Sequence, residues 1–185
     1  MINSYGKTID EYNVTADEWN TIYKNGGWKG EGSGRGSTVE NNHFLISWLL
    51  DFILKNNIKN IVDVGCGDLQ WVSALFKNKP NLMYTGIDCV GSLIKSHQKN
   101  YSYYAFFCKD IYQNEPLLKG KYDLVICKDV LQHNTKKPEK IINSIDKIKS
   151  KYKLIITPEF IKSPTDFSYS WILDYQSDEQ KSIYL

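Results

Sequence analysis

Two short apolar segments, each ending in an acidic residue, constrain this chain most. Residues 60–68 read Asn-Ile-Val-Asp-Val-Gly-Cys-Gly-Asp, and residues 84–88 read Tyr-Thr-Gly-Ile-Asp. The first segment predicts a strand that turns into a helix. Its glycines let the backbone approach a ligand closely, and the start of the helix offers free N–H groups. Asp88 ends the next strand, at the spacing expected of a carboxylate that binds a ribose diol. The pattern predicts a site for a nucleoside-containing cofactor.

The residues around the turn indicate which cofactor fits. A dinucleotide fingerprint, Gly-x-Gly-x-x-Gly, would place a glycine where this chain has Gln70. Asp63 and Asp68 put negative charge beside the turn, which would repel a pyrophosphate. S-adenosylmethionine (SAM) suits the loop better, because it has a sulfonium, an ammonium and a ribose diol but no phosphate. An NAD-binding module is therefore disfavoured.

The rest of the chain alternates between predicted strands and helices. The strands are expected at 60–64, 82–87, 103–107, 122–127 and 152–157, and the later helices from about 69, at 91–99 and at 138–150. Upstream, Ser37 and Glu40 form a predicted capping box that opens a helix to about Asn56, and a short helix is expected between Asp17 and Tyr23. This order predicts an α/β fold with a mainly parallel sheet covered by helices on both faces. Its ligands would bind at the carboxyl ends of the strands.

Four segments, in this order, resemble the motifs of class I SAM-dependent methyltransferases. They are residues 62–67, 86–88, 107–111 and 122–133, with residues 153–157 as the fifth strand. The resemblance implies a Rossmann-like methyltransferase fold, SAM as cofactor and S-adenosylhomocysteine (SAH) as product. It implies that Asp88 binds the ribose, that Asp110 faces the adenine amino group and that Ile111 packs on the ring. Leu69 departs from the family, because many members have a third glycine there.

The segment Gly32-Ser33-Gly34-Arg35-Gly36-Ser37-Thr38-Val39-Glu40 resembles a Gly-Ser-x-Gly-Ser-Thr-x-Glu stretch in small methyltransferases of bacteria and large DNA viruses. The resemblance implies that it folds over the methionine end of the cofactor, with Arg35 assisting; a solvent-exposed linker that caps a helix is the alternative. The resulting prediction for the cofactor site is Ser33, Gly34, Arg35, Ser37, Asp63, Gly65, Cys66, Gly67, Asp88, Cys89, Lys109, Asp110, Ile111 and Lys128.

Catalysis is predicted to use Asp129 and His133, which follow the fourth strand. If Asp129 starts a helical turn, the two side chains face the same way, and the pair would act as a base near neutral pH. The alternatives are that Asp129 only caps the turn and that His133 only orders the segment. Lys128 is expected to contribute its backbone and not its charge.

Composition limits the class of protein. A chain of 185 residues with 42% hydrophobic content predicts a single domain with its own core. The net charge of +2 is too small to indicate nucleic-acid binding by itself. We divide it into an N-terminal lid (1–37), a cofactor-binding core (38–160) and a closing segment (161–185), whose terminal hairpin is either abbreviated or incomplete. The N-terminus lacks a leader pattern and no segment is long enough to span a bilayer, so we expect a soluble cytoplasmic protein of the producing or host cell. The four cysteines lack Cys-x-x-Cys spacing and are expected to be reduced thiols, not metal ligands.

The acceptor is the least determined part. We predict O-methylation of a small or saccharide acceptor, with Tyr169, Trp171 and Tyr175 either in the acceptor pocket or in the core. A lysine-rich stretch between residues 136 and 153 keeps an RNA cap or base methyltransferase as the alternative. A catalytically silent SAM-binding subunit is the other alternative. The metal requirement and the oligomeric state stay open.

Overall fold

The structure, a computed structural model, describes residues 14–111, 118–133, 138–156, 172–176 and 179–183. The strands are β1 (Asn60–Val64), β2 (Met83–Asp88), β3 (Ala105–Cys108), β4 (Lys121–Lys128), β5 (Lys149–Ile156), β6 (Ile172–Gln176) and β7 (Glu179–Ile183). The α-helices are α1 (Ala16–Lys24), α2 (His43–Lys55), α3 (Ser73–Asn78), α4 (Gly91–Asn100) and α5 (Pro138–Asp146).

Within the described ranges, the strands form one sheet in the order β3-β2-β1-β4-β5-β6-β7. β1 to β5 are mutually parallel, and β6 and β7 are antiparallel. β1 lies between β2 and β4, so the chain leaves β1 toward one edge of the sheet and later returns to fill the other. The carboxyl ends of β1 and β4 therefore form a topological switch point, where ligands of such sheets bind. The predicted α/β fold with a parallel sheet is confirmed.

Alternation along the strands divides the core between the two faces of the sheet. One face packs against α2, α3 and α4, with Ile61 of β1 and Leu49 of α2 fully buried. The other face packs against α5, whose Ile141 and Ile145 are four residues apart and meet Val62 of β1. Both faces of β1 are thus covered, which explains why Ile61, Val62 and Val64 are all apolar and Asp63 is the one polar residue among the four buried positions of the strand.

Some predicted boundaries are wrong for reasons visible in the backbone. The capping box at Ser37 does not form, because the chain makes two 3-10 turns at Arg35–Ser37 and Glu40–Asn42 before α2 begins at His43. The Asn42 amide donates to the carbonyls of Gly36 and Thr38, at 2.8 and 2.7 Å, and so holds these turns. α5 ends at Asp146, earlier than predicted, because Lys149 already pairs with Lys121 in the sheet. An antiparallel terminal hairpin is present as β6 and β7.

Residues 14–42, which we call the N-terminal strap, run across the carboxyl edge of the sheet. A capping box opens α1: Thr15 Oγ1 accepts from Glu18 N–H at 3.2 Å, and Glu18 Oε2 accepts from Thr15 N–H at 2.8 Å. After α1 the strap turns through several glycines of positive φ, and Trp28 N–H donates to Gly32 O at 2.8 Å. The predicted short helix exists, but its role in fixing the strap was not predicted.

Gly27 and Gly30 provide a test of how tightly the strap is folded. Both have left-handed φ, +82° and +81°, but a Cβ at Gly27 would lie 2.0 Å from Gly32 O, whereas at Gly30 it would meet nothing within 4 Å. Alanine should cost at least about 1–2 kcal/mol at either position for the positive φ, and more at Gly27, whose ψ of −157° places it in a region that essentially only glycine adopts. We expect Gly27→Ala to lower the free energy of unfolding by at least about 1 kcal/mol more than Gly30→Ala, because the overlap is with backbone. Chemical denaturation measures both; equal losses would show that the Gly27–Gly32 approach does not exist in solution.

Candidate active site

A cavity of about 770 Å³ opens at the carboxyl ends of β1, β2 and β4, and the N-terminal strap forms its other wall. Its size is in the range of cofactor and small-molecule sites. The predicted site residues that line it are Ser33, Arg35, Ser37, Gly65, Cys66, Gly67, Asp88, Cys89, Lys109, Asp110, Ile111, Lys128, Asp129 and His133. The topology brings them together because each lies at or shortly after the carboxyl end of a strand, or in the strap.

Asp88 fixes the glycine turn. Its Oδ2 accepts from Gly67 N–H and its Oδ1 from Val90 N–H, both at 2.9 Å. Burial raises the pKa of Asp88 from its ordinary value, while these two backbone donors oppose the shift. A carboxylate has about four lone-pair sites, so each oxygen can accept a further donor from the cavity. Asp88 is thus positioned both to hold the turn and to bind a diol.

The positive φ angles of the turn explain why glycine occupies two of its positions. Gly65 and Gly67 have φ of +79° and +53°, and a Cβ at Gly67 would lie 2.4 Å from Ser33 Oγ. Leu69, where many family members have glycine, also has a positive φ, +64°, and its side chain is buried. The sequence departs from the family pattern there, but the conformation is one that glycine adopts readily.

Two of the predicted site residues do not line the cavity. Gly34 is buried beside Trp28, where an added Cβ would lie 3.3 Å from Trp28 Cβ. Asp63 is 2% exposed and accepts from Tyr84 O–H at 2.7 Å, below the turn. The prediction that these two residues line the cofactor site is therefore wrong. Successive side chains of a strand point to opposite faces, and the local sequence does not show that Asp63 points into the core. Burial raises the pKa of Asp63 to about 7, with the charge of Asp88 adding to the effect and the Tyr84 hydrogen bond opposing it.

The pKa of Asp63 predicts how stability depends on pH. Its folded pKa lies above its ordinary unfolded value, so the folded state binds the proton more tightly. This contribution is fully present below about pH 4 and is lost as the pH rises toward 7. We expect Asp63→Asn, which keeps an oxygen for Tyr84 but cannot ionise, to reduce the loss of unfolding free energy between pH 5 and pH 8 by at least about 1 kcal/mol. Denaturant titrations at both pH values test this, and parallel pH slopes for the two proteins would contradict it.

Ser33 and Asp68 join the N-terminal strap to the glycine turn. Ser33 N–H donates to Asp68 Oδ2 at 2.8 Å, and Asp68 N–H donates back to Ser33 Oγ at 3.1 Å. Gln70 Nε2 adds donors to Asp68 Oδ2 and to Glu31 O, at 2.8 and 3.0 Å. Tyr23 O–H lies 2.7 Å from Ser33 Oγ, and burial raises its pKa, so the phenol stays protonated. Gln70, which replaces the dinucleotide glycine, therefore holds the strap.

Aromatic rings of the strap enclose His133. Trp28 stacks on the imidazole, with centroids 5.2 Å apart and planes at 19°, and Trp19 meets it edge-on at 5.0 Å. Val14 N–H donates to His133 O at 3.2 Å and anchors the start of the strap. Burial lowers the pKa of His133 to about 4 although the charge of Asp129 opposes the shift. The imidazole is thus neutral at pH 7 and a weaker base than the near-neutral one that the sequence predicted.

Asp129 and Lys128 occupy the end of β4. Asp129 has a left-handed φ of +57° and its N–H donates to Ile156 O at 2.9 Å. It therefore does not begin a helical turn; a short 3-10 helix, Leu131–His133, follows instead. Lys128 Nζ pairs with Asp129 Oδ2 and donates to Gly36 O at 3.0 Å. The prediction that Lys128 contributes only its backbone is wrong, since its buried ammonium holds both the catalytic candidate and the strap.

The hydrogen-bond acceptors of the cavity fit SAM. Asp68 Oδ1 and Asp129 Oδ1 are buried, and neither has a hydrogen-bond partner among the described residues. Both residues line the cavity, and so do the carboxylates of Asp88 and Asp110. Buried oxygens without donors favour a ligand that supplies N–H or O–H groups and positive charge. SAM carries such groups, whereas a pyrophosphate would add negative charge to this surface.

Several residues that line the cavity were not predicted from the sequence. The strap contributes Val14, Trp19, Tyr23, Trp28 and Asn41, and the turn contributes Asp68 and Gln70. The Thr15–Glu18 capping pattern and the four-residue spacing of Trp19 and Tyr23 were the available signals, but neither shows what α1 packs against. Tyr169 and Trp171 lie outside the described residues, and so does the side chain of Tyr175.

The structure joins none of the four cysteines in a disulfide. All are free, and burial raises the pKa of Cys66, Cys89 and Cys127. Among the described residues, no group of three or more His, Cys, Asp or Glu side chains could hold a metal ion. Nothing in the described part of the chain forms a helix long and apolar enough to cross a membrane.

Comparison with known proteins identifies the fold. A family model described as a methyltransferase domain matches residues 62–149. The plantazolicin methyltransferase BamL, solved with a triazolic desmethylPZN analogue and SAH, is 19% identical with a TM-score of 0.57, over 78% of this chain and 55% of that one. The methyltransferase domain of bacterial CtHen1-CN is 18% identical with a TM-score of 0.54, over 64% of this chain and 67% of that one. The chain has the Rossmann-like methyltransferase fold.

The similarity has clear bounds. An O-methyltransferase family protein from Burkholderia thailandensis is 15% identical with a TM-score of 0.51, over 69% of this chain and 43% of that one. The chain spans only about half the length of the first of these relatives. No curated protein matches it.

Proposed function

We propose that this chain, whose residues 62–149 form a methyltransferase domain of the SAM-dependent, Rossmann-like kind, transfers a methyl group from SAM to an oxygen atom of a small or saccharide acceptor. The observation that carries the proposal is the composition of the cavity. Its glycine turn is held by the carboxylate of Asp88, and two buried oxygens, Asp68 Oδ1 and Asp129 Oδ1, lack hydrogen-bond donors among the described residues. We assign Asp88 to the ribose, Asp68 to the ammonium of the cofactor, and Asp110 and Ile111 to the adenine. Arg35, an exposed side chain of the cavity, is assigned to the cofactor carboxylate.

Bound SAM would supply an electrophilic methyl group, so that the protein mainly aligns the acceptor and removes its proton. Asp129 is our candidate for the base that accepts this proton. Its Oδ2 is held by the Lys128 ammonium, which leaves the buried Oδ1 for an acceptor hydroxyl. A positioned base of this kind contributes about 10²–10⁴-fold to rate. His133, neutral and enclosed by Trp19 and Trp28, would shape the acceptor side and exclude water.

An RNA acceptor is less well supported. Such an enzyme needs a basic surface near the site to neutralise phosphates. In the lysine-rich stretch, Lys151 pairs with Asp123 at 2.7 Å and Lys153 lies 4.0 Å from Asp146, which reduces its net positive charge. Steep salt dependence of RNA binding would favour RNA over a small acceptor.

Calorimetric titration with SAM and SAH, with NAD as the control, tests the proposal. We expect micromolar binding of SAM and SAH and none of NAD. That result would justify a screen of acceptors that begins with sugars and nucleotides. Binding of neither SAM nor SAH would refute the proposed function, and binding without turnover of any acceptor would favour a silent subunit.

A further inference from the structure

A buried histidine outside the cavity is linked to the glycine turn. His97 lies on α4, is 6% exposed and packs its ring 5.2 Å from that of Phe106. Its Nε2 is 2.8 Å from Gly67 O. A carbonyl only accepts, so Nε2 carries the hydrogen of this bond. His97 is absent from the lining of the cavity, and no role follows for it from the proposed function.

The hydrogen bond from His97 is one of two that hold the peptide group between Gly67 and Asp68. Gly67 O and Asp68 N–H belong to the same peptide plane. His97 donates to the oxygen of this peptide, Gly67 O, and the N–H of the same peptide, that of Asp68, donates to Ser33 Oγ at 3.1 Å. Gly67 has a φ of +53° and no side chain, so the plane beside it has little intrinsic barrier to rotation. The two bonds hold the plane from opposite ends.

The orientation of this peptide matters for Asp68. The fixed N–H is the backbone amide of Asp68. The side chain of the same residue accepts, through Oδ2, from Ser33 N–H and from Gln70 Nε2, both at 2.8 Å. These bonds leave Oδ1 buried and without a partner among the described residues, and Asp68 itself lines the cavity. Rotation of the Gly67–Asp68 peptide would break the Ser33 bond and move that oxygen.

We propose that His97 is a positioning residue for the cofactor site. It holds the Gly67–Asp68 peptide in the orientation that keeps Asp68 in the wall of the cavity and preserves the two hydrogen bonds between Asp68 and Ser33. It acts on the end of the site that would take the amino-acid part of the ligand. The identity of that ligand rests on the proposed function, whereas the anchoring of the peptide does not.

Amide hydrogen exchange in the ligand-free protein tests the anchoring. His97→Phe keeps a ring against Phe106 but removes the donor, and His97→Gln restores an N–H donor. We expect exchange at Asp68 N–H to rise about tenfold or more in His97→Phe and to return toward the original rate in His97→Gln. Two controls are used. The amide of Val62 in β1 reports any general loss of stability, and His43→Ala removes an exposed histidine away from the turn. Unchanged exchange at Asp68, or an equal rise at Asp68 and Val62, would overturn the inference. If His97→Phe does not fold, His97→Asn, whose amide is too short to reach Gly67 O, replaces it.

Binding of two ligands tests the consequence. SAH contains the amino-acid part and adenosine does not. We expect His97→Phe to weaken SAH about tenfold, the scale of one net hydrogen bond, and adenosine less than threefold. Equal losses for both ligands would overturn the assignment to the amino-acid end. If the unmodified protein binds neither, the proposed function fails, and the exchange experiment still decides whether His97 holds the peptide.

Discussion

Asp129→Asn is expected to lower the rate of methyl transfer by about 10²–10⁴-fold, the usual contribution of a positioned base. Asparagine has nearly the same size and keeps an oxygen for the Lys128 ammonium, so the site should remain assembled. Its amide cannot take the proton of an acceptor hydroxyl. The measurement is single-turnover transfer from SAM to the acceptor found by screening. The Kd for SAM should change less than about threefold.

His133→Phe is the matched comparison for this experiment. Phenylalanine keeps an aromatic ring between Trp19 and Trp28 but has no titratable nitrogen. Since the imidazole has a pKa of about 4, we expect a much smaller loss of turnover than in Asp129→Asn. A larger loss in His133→Phe, with Asp129→Asn near full activity, would transfer the role of base from the aspartate to the histidine.

Asp88→Ala is expected to weaken SAM binding by about 1–3 kcal/mol, which is roughly 5- to 150-fold in Kd. The carboxylate would lose its bonds to the ribose, and the N–H groups of Gly67 and Val90 would lose their acceptor. Two effects therefore act together, one on the ligand and one on the turn. Calorimetry below the unfolding temperature of both proteins measures the first, and thermal unfolding measures the second.

Asp51→Ala supplies the control for this substitution. Asp51 is an exposed aspartate on α2, so its removal changes the net charge equally without touching the cavity. SAM affinity should be unaltered in Asp51→Ala. An equal Kd in Asp88→Ala and the unmodified protein would refute the ribose assignment, whatever the change in unfolding temperature.

Periodicity and turn chemistry were enough to predict most of the fold. The first strand was predicted at 60–64 and is found at Asn60–Val64, because a β-branched run between a turn and Gly65 has few other conformations open to it. The helix before it was predicted to begin near Ser37 and begins at His43. Local capping signals fail there because the Asn42 amide offers the backbone other hydrogen bonds.

The site was predictable where motif and strand end coincide. Asp88, Asp110 and Asp129 were each assigned to the cavity from their position after a strand, and all three line it. Asp63 has the same local signature, but its side chain faces Tyr84 in the core. Successive side chains of a strand point to opposite faces, so a shift of one residue along the strand decides whether an acid faces the cavity or the core.

The sequence by itself determined the alternation of strands and helices, the Gly-x-Gly turn and the acids near the strand ends, since these depend on interactions between neighbours along the chain. Only the tertiary structure decided that the N-terminal strap closes the cavity, that Lys128 holds Asp129 and Gly36 O, and that His133 is enclosed by two tryptophans. Gly36 and Lys128 are 92 positions apart in the chain, and Trp19 and His133 are 114 apart. Burial, which sets the pKa values of Asp63 and His133, arises only once such distant segments pack together.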